Sequence, residues 1–257
     1  IGWRFINPAM RAAYGVDTMP ETAENVADDF AIARADQDAF ALRSQQRWAA
    51  ADERGFFARE IVPVTLPVKK GEAKVFARDE HPRPETDLAS LAKLKGVVRP
   101  EGSVTAGNAS GVNDGAAAVL LASAAAVERH GLTPRARILG TAAAGVPPRV
   151  MGIGPAPAVR KLLQRLGLSI TDLDVIELNE AFAAQSLAVL RELGLEDASD
   201  KVNPNGGAIA IGHPLGASGA RLVVTALNHL EVSGGRRALC TMCIGVGQGI
   251  ALVLERV

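Results

Sequence analysis

The sequence predicts an α/β fold, in which a mainly parallel β-sheet carries helices on its faces. From about residue 136, strand and helix patterns alternate regularly as βαβαβα followed by ββ. Hydrophobic residues make up 48% of the 257 positions, so the chain can bury a substantial core in one large or two medium domains. Residues 1–112 have secondary structure without this alternation, and we interpret them as an insertion or lid.

The lid region opens with a predicted helix that begins at Ala23. Thr22 is a candidate N-cap, and acidic residues in the first turn suit the positive end of the helix dipole. The other elements expected in this region are a helix over 34–55, a strand over 61–67, a charged surface excursion over 69–87 and a short helix over 88–94.

The regular part of the chain predicts five strands and three helices. Pro155 or Pro157 suits the first turn of a helix, and Gly234-Gly235 can end one. The strands are expected at 136–141, 175–178, 201–203, 237–243 and 249–255, and the helices at 155–166, 180–193 and 217–230. Ligands of such folds bind beyond the carboxyl ends of strands. Asn179 follows one strand and Cys243 ends another, which predicts a site at this edge.

Charge and composition argue against several classes of protein. The 28 Lys and Arg residues equal the 28 Asp and Glu residues, whereas nucleic-acid and membrane-surface proteins carry a basic excess. No apolar run approaches the roughly 20 residues of a membrane span. Two cysteines are not a disulfide framework, so we expect a reducing, cytoplasmic setting. The chain starts at Ile1 without a signal-peptide pattern, and we expect Ile1 to be an internal position of a longer protein.

Cys240 and Cys243 form a Cys-x-x-Cys pair. A zinc site needs further ligands at suitable spacing, and a thioredoxin-like pair opens a helix, whereas this pair ends a strand. Cys240 fits a buried strand cysteine. Cys243 is followed by Gly245 and Gly247, which let a ligand approach, and we expect a lowered pKa to let its thiol exchange protons.

His213 and Asn179 are the other candidate functional residues. His213 lies in the glycine-rich stretch 206–219, which feeds a helix N-terminus and can support developing negative charge. Asn179 suits either a helix N-cap or a donor to an oxyanion. Glu180 and Glu24 fit structural carboxylates in first helical turns.

Two further segments have open interpretations. The small residues over 107–111 and 113–116 predict either tight backbone packing or a ligand groove. Arg83, in a proline-flanked stretch, is either a solvated charge or a contact for a phosphate or base.

As a set, these motifs resemble the thiolase family. The stretches that carry the resemblance are 22–27, 107–117, 151–155, 179–183, 205–219 and 243–249. Gly2-Trp3-Arg4-Phe5 and the stretch 79–84 are most similar to the 3-oxoadipyl-CoA (β-ketoadipyl-CoA) thiolases of bacterial aromatic degradation.

The resemblance also implies how the chain is divided. Residues 1–112 correspond to a loop or lid domain, 113–134 to the last strand and helix of an N-terminal thiolase domain, and 135–257 to a C-terminal domain with a mixed five-stranded sheet.

Thiolases cleave a 3-oxoacyl-CoA with free CoA, or run the reverse Claisen condensation, on a nucleophilic cysteine. The resemblance implies that His213 activates this cysteine and helps hold the thioester oxygen. Cys243 corresponds to the acid/base for the CoA thiol or the acetyl α-carbon. Asn179 corresponds to the residue that positions a water in one oxyanion hole, and the Gly245 N–H contributes to the other.

The expected ligand is coenzyme A, used as a substrate rather than held as a permanent cofactor, and no metal is expected. Arg83 corresponds to a contact for the nucleotide end of CoA, and Ala106 and Ser110 to the pantetheine channel. Phe182 and Met19 correspond to apolar walls. Arg149 is a candidate partner for a distal carboxylate on the acyl group. The family also implies a homotetramer or a homodimer.

The sequence departs from the family at its start. The nucleophilic cysteine of the family and most of its first half would precede Ile1, and neither cysteine of this chain replaces that nucleophile. We therefore expect the chain by itself to lack turnover. Two alternatives stay open: a non-catalytic CoA-binding fragment, and a redox or metal protein that uses Cys240 and Cys243.

Overall fold

The structure is a computed structural model that describes residues 3–68 and 71–257. Ile1 and Gly2, at the start of the chain, and Lys69 and Lys70, in the expected surface excursion, lie outside the described residues. The α-helices within the described ranges are α1 (Pro8–Tyr14), α2 (Met19–Asp29), α3 (Arg34–Glu53), α4 (Leu88–Ala92), α5 (Ala124–His130), α6 (Pro155–Leu166), α7 (Ala183–Glu192), α8 (Ala208–Ile211) and α9 (Ser218–Ser233). None of these helices combines the length and hydropathy needed to cross a membrane.

The strands and short 3₁₀ turns complete the described elements. The strands are β1 (Val64–Leu66), β2 (Lys74–Phe76), β3 (Ala136–Gly145), β4 (Val175–Leu178), β5 (Arg237–Ile244) and β6 (Gln248–Arg256). The 3₁₀ helices are Phe57–Arg59, Pro148–Ile153 and Ile170–Asp172.

The main sheet has the strand order β3-β6-β5-β4. β4 and β5 are parallel, while β5 pairs with β6 and β6 pairs with β3 in antiparallel ladders. The expectation of a mainly parallel sheet is wrong because the short turn between β5 and β6 forces those strands to run antiparallel. The mixed sheet that the family resemblance implies is confirmed. Its expected fifth strand is reduced to one parallel bridge, between Ile176 and Val202.

Helices pack on both faces of this sheet. α6 presents Val159 and Leu162 to a core that also contains Leu187 of α7 and Leu239 of β5. This follows from the helical spacing of its apolar residues, from Pro155 in its first turn and from the left-handed Gly167 that ends it. The opposite face is covered by α9.

Helix α2 begins earlier than the sequence predicts. α2 starts at Met19, so the expectation that Thr22 caps it is wrong. Thr18 is the N-cap, and its N–H and hydroxyl donate to the Glu21 carboxylate at 2.6 and 2.8 Å. A Thr-x-x-Glu pair fits this role better, because Thr22 is already inside the helix and donates to the Met19 carbonyl.

Two buried glutamates connect segments that are far apart in the chain: Glu180 joins α3 to the C-terminal part, and Glu24 joins α2 to residues 103–104 within the lid region. Glu180 accepts hydrogen bonds from Ser44 in α3, from Asn203 and from the N–H of Ile209 in α8. It precedes α7 rather than lying in its first turn, which corrects the expected helix start. Glu24, inside α2, accepts from the N–H groups that follow Gly102. Glu180 therefore fixes the segment that leads into α8, and Glu24 fixes the segment after Gly102.

Residues 111–123 contain no helix or strand among the described residues and precede α5. Val112, Leu120 and Leu121 have exposed fractions of 67%, 81% and 71%. A run of strongly exposed apolar side chains of this kind is unusual on the surface of a monomer.

Candidate active site

Three predicted motifs meet at the carboxyl edge of β4 and β5. In the parallel register of these strands, Leu178 lies opposite Thr241, so the residues that follow each strand emerge at the same edge. The Asn179 N–H donates to the Thr241 carbonyl at 3.0 Å. The Asn179 Nδ2 lies 3.4 Å from the Nε2 of His213. The expected convergence of Asn179, His213 and the end of β5 is therefore present.

The imidazole of His213 is held by Ser218, the first residue of α9. Its Nδ1 lies 2.5 Å from the Ser218 Oγ, and that hydroxyl donates to the Pro214 carbonyl at 3.1 Å. Since the hydroxyl proton is used by Pro214, the hydroxyl oxygen accepts from Nδ1–H. The Nε2 is then unprotonated, and its lone pair faces the Asn179 Nδ2 as an acceptor. This tautomer is suited to a general base.

The surroundings of His213 keep the imidazole neutral. Burial lowers its pKa, and the nearby positive charge of Arg221 lowers it further. Sequence reasoning missed Ser218 as a functional residue. The available signal was a hydroxyl five residues after His213, at the start of a helix.

Asn179 does not cap the helix that follows it, because Phe182 is the N-cap of α7. The cap interpretation is therefore wrong, and the amide is free for another role. Asn179 is completely buried, and its Oδ1 has no hydrogen-bond partner among the described residues. A buried acceptor without a partner is costly, so this oxygen is suited to a water or ligand.

Cys243 lies at the end of β5 in an apolar cluster with Met151 and Phe182, and Met19 packs against the same cluster. Burial raises the pKa of its thiol to about 12. The expectation of a lowered pKa is wrong, because burial in the cluster disfavours the thiolate more than a backbone hydrogen bond favours it. Cys243 is thus a neutral thiol at rest, a state suited to donating a proton.

The turn after Cys243 contains two glycines, one with empty space beside its Cα atom and one that is tightly packed. A Cβ placed on Gly245 meets no atom within 4 Å. Gly247 has a φ of +86°, and a Cβ there would lie 2.2 Å from the Val146 carbonyl oxygen. Packing therefore requires glycine at 247 but not at 245, where the partly exposed backbone has space beside it for a ligand.

Cys240 is in a different environment from Cys243. Its thiol donates to the Leu222 carbonyl of α9 at 3.6 Å, and burial raises its pKa. Both cysteines are free thiols. In the described part of the chain, no group of three or more His, Cys, Asp or Glu residues is arranged to hold a metal ion.

The predicted CoA contacts fall into two groups. Ser110 belongs to the Cys243 side of the molecule, because its N–H and hydroxyl both donate to the Ala181 carbonyl, and Ala109 forms a bridge with Phe182. Arg83 and Ala106 are exposed. One guanidinium nitrogen of Arg83 donates to the carbonyls of residues 80–82, which fixes the turn that presents this side chain.

Arg149, expected as a partner for a substrate carboxylate, already has an anionic partner. Its Nη1 lies 2.5 Å from the Asp29 Oδ2, and its Nη2 lies 3.3 Å from Oδ1. The side chains of this pair are 49% and 41% exposed. The ion pair would have to open before Arg149 could bind a substrate.

A buried charged cluster beneath the site was missed by sequence reasoning. Arg221 of α9 donates to Glu177 of β4 at 3.1 Å. Burial raises the pKa of Glu177 to about 8, and burial also raises the pKa values of Glu60 and Asp79. The signal was a glutamate inside the apolar strand Val-Ile-Glu-Leu, which a buried strand rarely contains without a partner.

Comparison with known proteins supplies the context of this site. The family model described as the thiolase N-terminal domain matches residues 5–125, and the one described as the thiolase C-terminal domain matches residues 132–256. A Pseudomonas aeruginosa protein named beta-ketoadipyl-CoA thiolase is 71% identical over all 257 residues. The chain spans 64% of the length of that relative.

Two solved structures share the fold. The Bacillus anthracis acetyl-CoA acetyltransferase is 46% identical with a TM-score of 0.90, over 94% of this chain and 61% of that one. A human mitochondrial 3-ketoacyl-CoA thiolase in complex with CoA is 45% identical with a TM-score of 0.85, over 95% of this chain and 60% of that one.

Proposed function

This chain belongs to the thiolase family, and from that premise we propose that it forms part of an acyl-CoA C-acyltransferase. The reaction is cleavage of a 3-oxoacyl-CoA by CoA to acetyl-CoA and a shortened acyl-CoA, or the reverse Claisen condensation. The observation that carries this proposal is the neutral His213 imidazole, held by Ser218 with its unprotonated Nε2 facing the Asn179 Nδ2. A base beside an amide donor is suited to thioester chemistry, in which protons move while oxyanions develop.

His213 and Asn179 act at the thioester oxygen and at the nucleophile. The Nε2 of His213 accepts the proton of the acyl-accepting thiol, and the resulting imidazolium then stabilises negative charge on the thioester oxygen. Asn179 holds a water that completes this oxyanion hole. Its buried amide has an oxygen without a partner among the described residues, which supports a role in binding water.

Cys243 transfers the other proton. When the carbon–carbon bond of the 3-oxoacyl group breaks, the acetyl-CoA enolate takes the Cys243 thiol proton at its α-carbon. The Cys243 thiolate then takes the proton of the incoming CoA thiol, whose sulfur attacks the acyl group. The raised pKa supports this order, because the thiol begins protonated. The Gly245 N–H donates to the second oxyanion.

Coenzyme A is the proposed partner at the entrance. Arg83 contacts the nucleotide end, and Ala106 and Ser110 line the pantetheine channel. Met19 and Phe182 form apolar walls beside the reacting carbon, which their packing at Cys243 supports. The CoA complex of the human structural neighbour supports the ligand class.

We propose 3-oxoadipyl-CoA as the acyl substrate, which places the reaction in the β-ketoadipate route of aromatic degradation. The name of the Pseudomonas aeruginosa relative supports this choice. A substrate with a terminal carboxylate should be distinguished from 3-oxohexanoyl-CoA, which has the same chain length without that charge.

The proposed division of the chain is a lid domain over 1–112, a strand and helix of an N-terminal domain over 113–134 and a C-terminal domain over 135–257. The exposed apolar side chains of Val112, Leu120 and Leu121 support the second assignment, since a strand that pairs elsewhere needs such residues. The acyl-accepting cysteine would come from sequence outside these 257 residues, because Cys240 is buried under α9. A cytoplasmic homotetramer or homodimer is the proposed form of the whole protein.

The test is thiolysis of 3-oxoadipyl-CoA by the whole protein, followed as acetyl-CoA release. His213→Gln should lower turnover by at least ~10², the size of general acid–base contributions. His229→Gln is the matched control, because His229 is also partly buried and bonded to an asparagine, Asn205. Turnover of His213→Gln within about tenfold of wild type would refute the assigned role. Calorimetric CoA binding without turnover by the whole wild-type protein would favour a non-catalytic CoA-binding protein.

A further inference from the structure

The backbone of His213 is held by a side chain that the proposed reaction does not use. The His213 N–H donates to the Gly111 carbonyl at 3.0 Å and to the Asn113 Oδ1 at 3.3 Å. The fit is tight, since a Cβ on Gly212 would lie 2.3 Å from the Asn113 Oδ1. Asn113 therefore packs directly on the loop that carries the imidazole.

The other end of the Asn113 amide faces the lid region. Its Nδ2 lies 3.4 Å from the Nδ1 of His81. The His81 ring also packs on Gly111, where a Cβ would lie 2.4 Å from its Cε1 atom. One amide thus contacts both the histidine of the lid region and the backbone of the catalytic histidine.

His81 belongs to the same turn as Arg83. The Arg83 guanidinium donates to the His81 carbonyl at 2.7 Å, and the Arg83 N–H donates to Gln45 of α3. Since Asn113 Nδ2 is a donor, the facing Nδ1 of His81 must be an acceptor, which requires a neutral imidazole. Burial and the charge of Arg83 both lower the pKa of His81, in agreement with this state.

We propose that His81 and Asn113 are positioning residues that couple the turn carrying Arg83 to the backbone of His213. The turn that faces CoA and the catalytic imidazole are then held at a fixed position relative to each other. This inference rests on the proposed function for the roles of Arg83 and His213. The coupling matters because a shift of the base by about 1 Å can cost roughly 10² in rate.

A double-mutant cycle on the whole protein tests the coupling. His81→Ala and Asn113→Ala should each lower kcat by roughly tenfold, with the KM of the 3-oxoacyl substrate changed less than kcat. The double variant should lose no more than about threefold beyond either single variant, because both changes break one link. Multiplied losses of about a hundredfold would overturn the proposal. His81→Gln, which restores an acceptor for Asn113, should recover most of the rate.

Amide hydrogen exchange gives a readout that does not depend on turnover. Both alanine variants should speed exchange of the His213 amide by at least about fivefold, while amides of the buried helix α6 stay unchanged. His229→Ala is the matched control and should leave the His213 amide unchanged. If His81→Ala also leaves it unchanged, the coupling is refuted whether or not the protein is active. If the exchange effects are found and the wild-type protein has no thiolase turnover, the proposed function fails while the structural link stands.

Discussion

The carboxyl end and the middle of β5 each contain a buried thiol, but in different surroundings. Cys243 and Cys240 are three residues apart, so they point to opposite faces of the strand. Cys243 lies among Met151 and Phe182, beside an open glycine turn. Cys240 lies under α9, with Glu177 opposite it in the register. Burial raises the pKa of both thiols, so the difference between them lies in access and partners rather than in acidity.

The largest expected difference between the two positions is in turnover. Cys243→Ala should lower thiolysis by the whole protein at least ~10², because the α-carbon and the CoA thiol lose the proton carrier that we propose for them. Cys240→Ala should stay within about threefold of wild type. Initial rates of acetyl-CoA formation measure both, with circular dichroism as a check of folding. Equal losses in the two variants would remove the functional distinction between the carboxyl end and the middle of β5.

A smaller effect is expected from Ser218, which orients the imidazole at the carboxyl edge. Ser218→Ala removes the acceptor of the His213 Nδ1–H, so neither the tautomer nor the position of the ring is fixed any longer. We expect a loss of roughly tenfold in kcat and a smaller change in KM. Ser233→Ala, at the other end of α9, is the matched control. A change confined to KM would show that Ser218 acts on binding instead of on the base.

Glu177 of β4, which lies opposite Cys240 in the middle of β5, should instead control how stability depends on pH. The pKa of Glu177 is about 8 in the folded chain and near 4.5 when exposed, so between these values the folded state keeps a proton that the unfolded state releases. Stability from this group is therefore fully present below pH 4.5 and is lost as pH rises through about 8.

Glu177→Gln tests this pH dependence because it keeps the shape and removes the titration. Its unfolding midpoint, relative to wild type, should be higher by a few degrees at about pH 9 than at about pH 5. Glu128→Gln, an exposed change on α5, should show no such dependence. A pH-independent difference for Glu177→Gln would mean that Glu177 is ionised throughout and paired with Arg221.

Sequence patterns predicted most elements of the regular half because their signals are local. α6 and β4 have the expected bounds, since a proline in the first turn and a short apolar run specify them without help from distant residues. The antiparallel β3–β6 ladder was missed because strand pairing depends on contacts more than a hundred residues apart in the chain. The start of α2 was missed because Thr18 and Thr22 can both cap a helix. Only Thr18 has a glutamate, Glu21, three residues later.

The sequence by itself determined the family, the α/β class and the chemical groups at the site: an amide, an imidazole and a thiol beside glycines. Tertiary structure decided their chemical states. Ser218 and burial make His213 a neutral base, and an apolar cluster makes Cys243 a protonated acid. Protonation depends on desolvation and on partners brought from distant segments, which no spacing of residues along the chain can encode.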